Sequence, residues 1–267
     1  MVASIALDHL AIGVERWTDA YPRFAAELGG QWSHGGDAGG YAPCQLTYGH
    51  GMRLELIAPS SSGGFMRRFM DRNGPGAHHL TFKVPAIEST LADLARLGIE
   101  PLGGRTDMPF WREAFLHPKL CGVGTLLQII QVDEGFPTIK TPAPGGFPVI
   151  QGRQRSLSWV ALTAGFLPDA RSLFAGALGG TVLDSGEHWM LIGWGTGRSL
   201  LIREPSAAPG GKRLWAGSPS PGVSHVMFGP PDLCPHQLSD AAAGVSRLPH
   251  DDLTRVPVWV AVNPALQ

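Results

Sequence analysis

Apolar and polar positions along this chain follow two periods, and the two take turns. Strand-like alternation opens four segments: Leu7-Asp8-His9-Leu10-Ala11-Ile12, Ala77-His78-His79-Leu80-Thr81-Phe82, Leu157-Ser158-Trp159-Val160-Ala161-Leu162 and Val223-Ser224-His225-Val226-Met227-Phe228. Each run gives way to an amphipathic stretch; in the first, Tyr21, Phe24, Ala25 and Leu28 recur at helical spacing. Each stretch closes on a glycine, Gly29, Gly98, Gly179 or Gly244, suited to the left-handed position just past a helix C-terminus. From the third residue of each strand to that glycine the distances are 20, 19, 20 and 19 residues, which marks an internal repeat. Extended runs follow, residues 45–48 and 53–57 in the first unit, 115–117 and 125–132 in the second, and Pro59 with Ser60-Ser61-Ser62-Gly63-Gly64 stops the first set. The predicted architecture is α+β, built from tandem βαβββ units. The fourth unit is shorter, with one strand, residues 256–262, expected after its helix.

Units one and two start 70 residues apart, from His9 to His79, and units three and four 66 apart, from Trp159 to His225. Between the pairs lies Thr141-Pro142-Ala143-Pro144-Gly145-Gly146-Phe147-Pro148, a stiff connector. The expected organisation is therefore a first domain over 1–140, a Pro/Gly-rich linker over 141–155 and a second domain over 156–267.

Composition narrows the partners. Lys plus Arg is 21 against 22 for Asp plus Glu, a net charge of -1, which gives no electrostatic footing for nucleic acid or an anionic membrane. No apolar run is long enough to span a bilayer, and no basic leader precedes the apolar residues of 1–7. Cys44, Cys121 and Cys234 are too scattered for a disulfide framework or a clustered metal motif, so a reducing, cytoplasmic setting is expected. The 36 glycines and 23 prolines suit short strands joined by turns. Gly193-Trp194-Gly195-Thr196-Gly197 has no helix after it to make a phosphate loop, and no Gly-x-Ser-x-Gly elbow is present.

Four stretches carry a resemblance. Leu-Asp-His-Leu-Ala-Ile-Gly-Val at 7–14, Leu-Glu-Leu-Ile-Ala-Pro at 54–59, Gly-Pro-Gly-Ala-His-His-Leu at 74–80 and Leu-His-Pro-Lys at 116–119 resemble the vicinal oxygen chelate superfamily. That superfamily includes glyoxalase I, methylmalonyl-CoA epimerase, fosfomycin and bleomycin resistance proteins, and extradiol dioxygenases. The resemblance implies two domains of paired βαβββ units, each pair wrapping a cavity that holds one divalent metal. It is strong over 5–135, closest to the epimerase and glyoxalase branches, and weaker but in register over 155–262.

Alternation supplies candidates. His9 shares a strand face with Ala11 and Gly13, while Asp8, Leu10, Ile12 and Val14 point the other way. His79 shares a polar face with Thr81 and Lys83, which leaves His78 as a structural histidine on the helix side. Glu55 sits opposite Leu54 and Leu56, and Gln128 occupies the matching place in unit two. The resemblance implies that His9, Glu55, His79 and Gln128 are the metal ligands, with Glu55 and Gln128 also at the catalytic last-strand positions. Such a mixed N/O set suits Zn, Co, Ni, Mn or Fe in the divalent state. Epimerases often carry the amide in the first unit and the carboxylate in the second, an order exchanged here. Their additional Glu falls near Gln45, a departure from a methylmalonyl-CoA epimerase. Gln45, Tyr48 and Arg112 are candidates for substrate contact. Met66, Phe69 and Met70 around Arg67 and Arg68 form an amphipathic turn that either lines the cavity mouth or simply packs. In the second half Trp159 and Leu201 replace the first His and the Glu, leaving His225 alone, so that half reads as a degenerate copy; Trp194, Trp215 and Trp259 read as core or interface residues.

Three functions follow from the resemblance. The first is a metal-dependent isomerase or lyase of the glyoxalase/epimerase type, acting on a small oxygenated or carbonyl substrate through a metal-stabilised enolate. The second is an Fe(II)-dependent ring-cleaving dioxygenase on the His9, His79 and Glu55 set. The third is a non-catalytic drug- or metabolite-binding protein of the resistance type. In each case the partner is a small molecule, with no nucleic acid and no membrane, and a homodimer is left open.

Overall fold

The computed structural model describes residues 4–134, 136, 141–149, 154–205, 220–235 and 244–261. The strands are β1 (Ala6–Gly13), β2 (Gln31–Gly35), β3 (Tyr41–Thr47), β4 (Arg53–Pro59), β5 (Gly76–Lys83), β6 (Pro101–Arg105), β7 (Trp111–Leu116) and β8 (Leu126–Val132), then β9 (Ser156–Thr163), β10 (Thr181–Gly186), β11 (Trp189–Gly193), β12 (Ser199–Arg203), β13 (Gly222–Gly229), β14 (Val245–Arg247) and β15 (Val258–Ala261). The described helices are α1 (Trp17–Ala20), α2 (Phe65–Asn73), α3 (Ile87–Ala95) and α4 (Leu167–Arg171). α1 and α4 each run on into a wider π-type segment, Tyr21–Glu27 and Ser172–Ala177. None is long and apolar enough to cross a membrane.

Two mixed sheets result, ordered β2-β3-β4-β1-β5-β8-β7-β6 and β10-β11-β12-β9-β13-β15-β14. In each, the first strands of two units lie antiparallel at the centre, and each is flanked on its outer side by its own unit's last strand running parallel to it. This is the α+β arrangement of paired βαβββ units that the spacing predicts. The fourth unit differs in detail: among the described residues two strands, β14 and β15, follow β13, not the single one expected. Its helix and Trp215 fall outside the described residues.

The central pairs are bulged, and the bulges repeat. Between β1 and β5, Leu7 pairs with Phe82 and His9 with Thr81, leaving Asp8 extra; Ala11 pairs with His79 and Ile12 with Ala77, leaving His78 extra. Between β9 and β13 the extra residues are Ser158 and Ser224, at the equivalent places. A bulge re-aims side chains and resets the alternation. Leu7 and Leu10 are three apart yet both fully buried in one core.

Each sheet has a core face and an opposite face, called here the site face. The core faces pack together through α1, α3, α4 and the π segments into one continuous cluster containing Leu10, Ile12, Phe24, Leu54, Phe82, Val160, Leu162, Phe174, Leu200 and Phe228. Phe82 of the first sheet meets Phe174 and Trp194 of the second, and Tyr48 meets Phe228. The backbones join as well: Gly49 N donates to Arg155 O at 2.8 Å and Met52 N to Gly197 O at 2.9 Å. Gly51 sits at φ 86°, where a Cβ would lie 2.1 Å from Gly197 O, so the approach of the two sheets requires glycine there. The connector is anchored to the first sheet, with Thr141 O accepting from Trp32 Nε1 and Phe147 set against Tyr21 and Trp32.

Candidate metal centre

The site face of the first sheet is built on β1, β4 and β5. Register places Ala11 between Glu55 on β4 and His79 on β5, with His9 one step along the same face. One ligand atom from each of His9, Glu55 and His79 lies within 4.8 Å of the others, and no second group of three such side chains occurs among the described residues. All three are buried, at 5–8% exposure. The apolar wall beside them is Ala11, Ile57, Met66 and Met70, with Phe69 and Tyr41 packed on it. The Met66–Met70 turn therefore belongs to α2 and walls the site face.

Each histidine is held by its neighbours. His9 Nδ1 lies 2.8 Å from Asp8 Oδ2, and Arg53 pairs with the same carboxylate. His9 Nε2 is 3.0 Å from Thr81 Oγ1 and 3.6 Å from Glu55 Oε2. An imidazole that gives one N–H to a carboxylate presents its other nitrogen as the ligand. His79 Nδ1 is 2.8 Å from His78 Nδ1, whereas His79 Nε2 is buried with no hydrogen-bond partner. A buried ring nitrogen without a partner is costly, and a metal ion in the Glu55–His9 angle would satisfy it. The residues fit a metal on that ground. Gln45 Nε2 donates to Glu55 Oε1 at 3.1 Å. Thr81 Oγ1 donates to Gln128 Oε1 at 2.8 Å, and Gln128 Nε2 donates to Glu113 Oε2 at 2.9 Å. Gln128 thus stands beside the triad with its amide committed to Thr81 and Glu113.

The charges are strongly coupled. Burial works against the His9 cation, but the carboxylates of Glu55 and Asp8 outweigh it and push the pKa up to about 9. Burial likewise opposes ionisation of Glu55, yet His9 and the Gln45 amide draw its pKa down to about 2. Asp8 is held well below the usual carboxylate range by His9 and Arg53, against the effect of burial. Burial and the neighbouring histidines keep His79 neutral, well below its ordinary value. A metal therefore has to displace a proton from His9 alone. Below about pH 9 the metal-free chain carries that proton, so affinity should rise roughly tenfold per pH unit from neutrality and flatten above about 9. Metal binding at pH 7 should release close to one proton, read as a buffer-dependent heat in calorimetry; a heat independent of the buffer would contradict the His9 assignment. The linkage on folding runs the opposite way with pH. His9 is raised on folding, so its contribution to the metal-free protein is full below its unfolded pKa and is lost as pH rises through about 9.

Residues 8–115 match the profile of the Glyoxalase/Bleomycin resistance protein/Dioxygenase superfamily. Over these residues the chain is similar to that superfamily. The superfamily match thus starts at Asp8, beside the triad's first histidine. Three solved structures each align with about half of the chain. A hypothetical protein from Bacillus halodurans C-125 is 24% identical, covers 51% of this chain and 99% of its own, and has a TM-score of 0.45. The methylmalonyl-CoA epimerase of Mycobacterium tuberculosis is 25% identical over 48% of this chain and 88% of its own, with a TM-score of 0.43. A point variant of the Streptomyces coelicolor methylmalonyl-CoA epimerase, in complex with 2-nitronate-propionyl-CoA, is 23% identical over 49% of this chain and 99% of its own, also at 0.43. No curated protein matches the chain significantly.

The structure corrects several readings. Tyr48 does not face the site. It follows Gln45 by three residues, so alternation turns it to the core, where its hydroxyl donates to Phe24 O at 2.9 Å. Arg112 lies opposite Gln131 on β7 and spends its guanidinium on Glu88 and Asp133, away from the site face. Asp8 does not point away from His9; as the extra residue of a bulge it reaches the His9 ring. His78 packs on a helix as expected of a structural histidine, but it does not join Leu80 and Phe82 on the core face. The second bulge turns it onto His79 and the α2 residues Phe65 and Phe69, and burial pushes its pKa down to about 4. Gln45 does reach the site. Sequence reasoning missed Asp8, Arg53, Thr81 and Glu113 as site residues. Alternation along β7 would have put Glu113 on the face of Gln128, but the bulges leave no signature in period.

The second sheet carries Trp159, Leu201 and His225 at the triad positions, and register puts Trp259 where Gln128 stands. Trp159, Leu201, Met227, Leu191 and Ala261 close into an apolar cluster there.

Gln128→Glu tests the ligand inventory. It would set a second carboxylate beside Glu113 and lower the metal-free melting temperature. Divalent metal would relieve that repulsion, so affinity should rise by about tenfold. Unchanged calorimetric affinity would place position 128 outside the metal's reach.

Proposed function

We propose that the chain is a metal-dependent enzyme of the glyoxalase/epimerase type, an isomerase or lyase acting on a small oxygenated or carbonyl substrate. The observation that carries this reading is the convergence of His9, Glu55 and His79 within 4.8 Å, with His79 Nε2 buried and unpartnered. His9, Glu55 and His79 would hold Zn, Co, Ni, Mn or Fe in the divalent state, with Gln128 as a weaker fourth group. A divalent ion bound there supplies a Lewis acid for adjacent substrate oxygens. The other roles fall to the chain. Asp8 and Arg53 fix the tautomer of His9, and Gln45 orients the Glu55 carboxylate. Met66, Met70 and Ile57 exclude water from one side of the site. Glu113 is a carboxylate outside the ligand group, held at one oxygen by Gln128 and Trp111. Its other oxygen is the natural acceptor for a proton next to a substrate carbonyl, in place of a Glu55 engaged as ligand.

In this reading the functional unit is 1–140, 141–155 is the connector and 156–267 is a supporting copy. A second reading rests on the same triad, since two histidines and one carboxylate also suit an Fe(II) ring-cleaving dioxygenase. Elemental analysis joined to oxygen uptake separates them. The leading reading expects one divalent ion per chain, no oxygen consumption with catechols, and exchange of a substrate α-proton for solvent deuterium seen by NMR. That exchange should be lost in Glu113→Gln while metal content is retained. Oxygen uptake dependent on Fe(II) would move the second reading ahead. Metal binding with neither activity would point to a protein that only sequesters its ligand.

A further inference from the structure

Buried donors on the site face of the second sheet lack acceptors. Among the described residues, the buried side-chain atoms with no hydrogen-bond partner include Trp159 Nε1, Thr163 Oγ1, and Arg203 Nε and Nη1. All four can donate. Thr163 and Arg203 are side by side in register on β9 and β12, and Trp159 lies on the same face of β9. Arg203 is 3% exposed and Thr163 fully buried. No carboxylate among the described residues pairs with Arg203, and burial alone pulls its pKa down, with no neighbouring acid to raise it. His225 on β13 is also buried on this face, and Arg203 and Arg247 both bear on it electrostatically.

An uncompensated guanidinium in an apolar surround is among the costliest arrangements a fold can carry, whereas a bound oxyanion converts it into charge-assisted hydrogen bonds. The first sheet has Ile57 at the place of Arg203 and Gly13 at that of Thr163, so these donors are particular to the second copy. The apolar cluster of Trp159, Leu201, Met227 and Trp259 lies next to them and suits the carbon skeleton of a small metabolite. We propose that the site face of the second sheet is an oxyanion site, in which Arg203 and Thr163 bind the carboxylate or phosphate group of a small metabolite and His225 stands at the edge. The degenerate copy would then have exchanged a metal site for an anion site on the same frame.

The test uses the full chain and two probes, inorganic phosphate and acetate, titrated by calorimetry and by melting temperature against a chloride reference. At least one probe should bind and raise the melting temperature, and the stronger one identifies the group recognised. Arg203→Met should weaken that binding by at least about tenfold. It should melt no lower than the parent in chloride, because the unpaired charge is gone, and metal stoichiometry should be unchanged. Thr163→Val, nearly isosteric, should weaken binding about three- to tenfold, and it keeps the test decisive if Arg203→Met does not fold. Parent protein that responds to neither probe overturns the proposal, as does Thr163→Val or Arg203→Met binding as well as the parent.

Discussion

His79→Ala abolishes divalent-metal binding, with affinity falling by two orders of magnitude or more, on the order of 3 kcal/mol or above. The reason lies in the number of strong donors. Among the described residues only three such groups converge, and Gln128 cannot stand in for a lost imidazole because its amide is engaged by Thr81 and Glu113. Removing His79 leaves His9 and Glu55, which are already well satisfied by each other and by Asp8, Thr81 and Gln45. The two-ligand remnant therefore reverts to the closed ion pair. The fold should survive, since the substitution removes a ring whose Nε2 makes no hydrogen bond, and circular dichroism should match the parent. His9→Ala should be equally severe for metal but should also cost stability, because it strips Glu55 of its nearest cation and leaves Asp8 with Arg53 alone. Calorimetric binding by His79→Ala at parental affinity would place the metal away from His79 and overturn this site assignment.

Phe174→Ala destabilises the whole chain by about 3–5 kcal/mol, and both sheets melt together. Phe174 belongs to the second copy, yet it packs against Phe82 of the first and against Trp194, in a position with no exposure. The space left by its ring is walled by residues of both sheets, neither of which can collapse alone. For a chain of this size the melting temperature should drop by roughly 10 °C. Metal-dependent signals from the first sheet should vanish in the same transition as the tryptophan signals of the second. Two separable transitions, with the first sheet melting at its parental temperature, would show that the halves are independent and that the shared cluster contributes little.

The sequence by itself determined the frame. Three strand–helix–glycine units and the first strand of a fourth, their pairing two by two, and the loss of His and Glu from the second pair all follow from period and spacing, because strand and helix periodicities are local properties of the chain. The convergence of His9, Glu55 and His79 was legible for the same reason: their strands repeat at fixed intervals, and alternation aims them to one side. Which neighbours serve that triad was decided only by the tertiary structure. Asp8 and His78 reach it because β1 and β5 each carry one extra residue where they pair, and a bulge is a property of two strands together, invisible in either alone. Glu113 and Arg53 join through cross-strand register, and Arg112 is drawn away by Glu88 and Asp133 from elsewhere in the chain. The second sheet's unpaired Arg203 and the single core shared by both copies are likewise tertiary facts. Burial and partnership depend on what packs opposite a residue, and no local period records that.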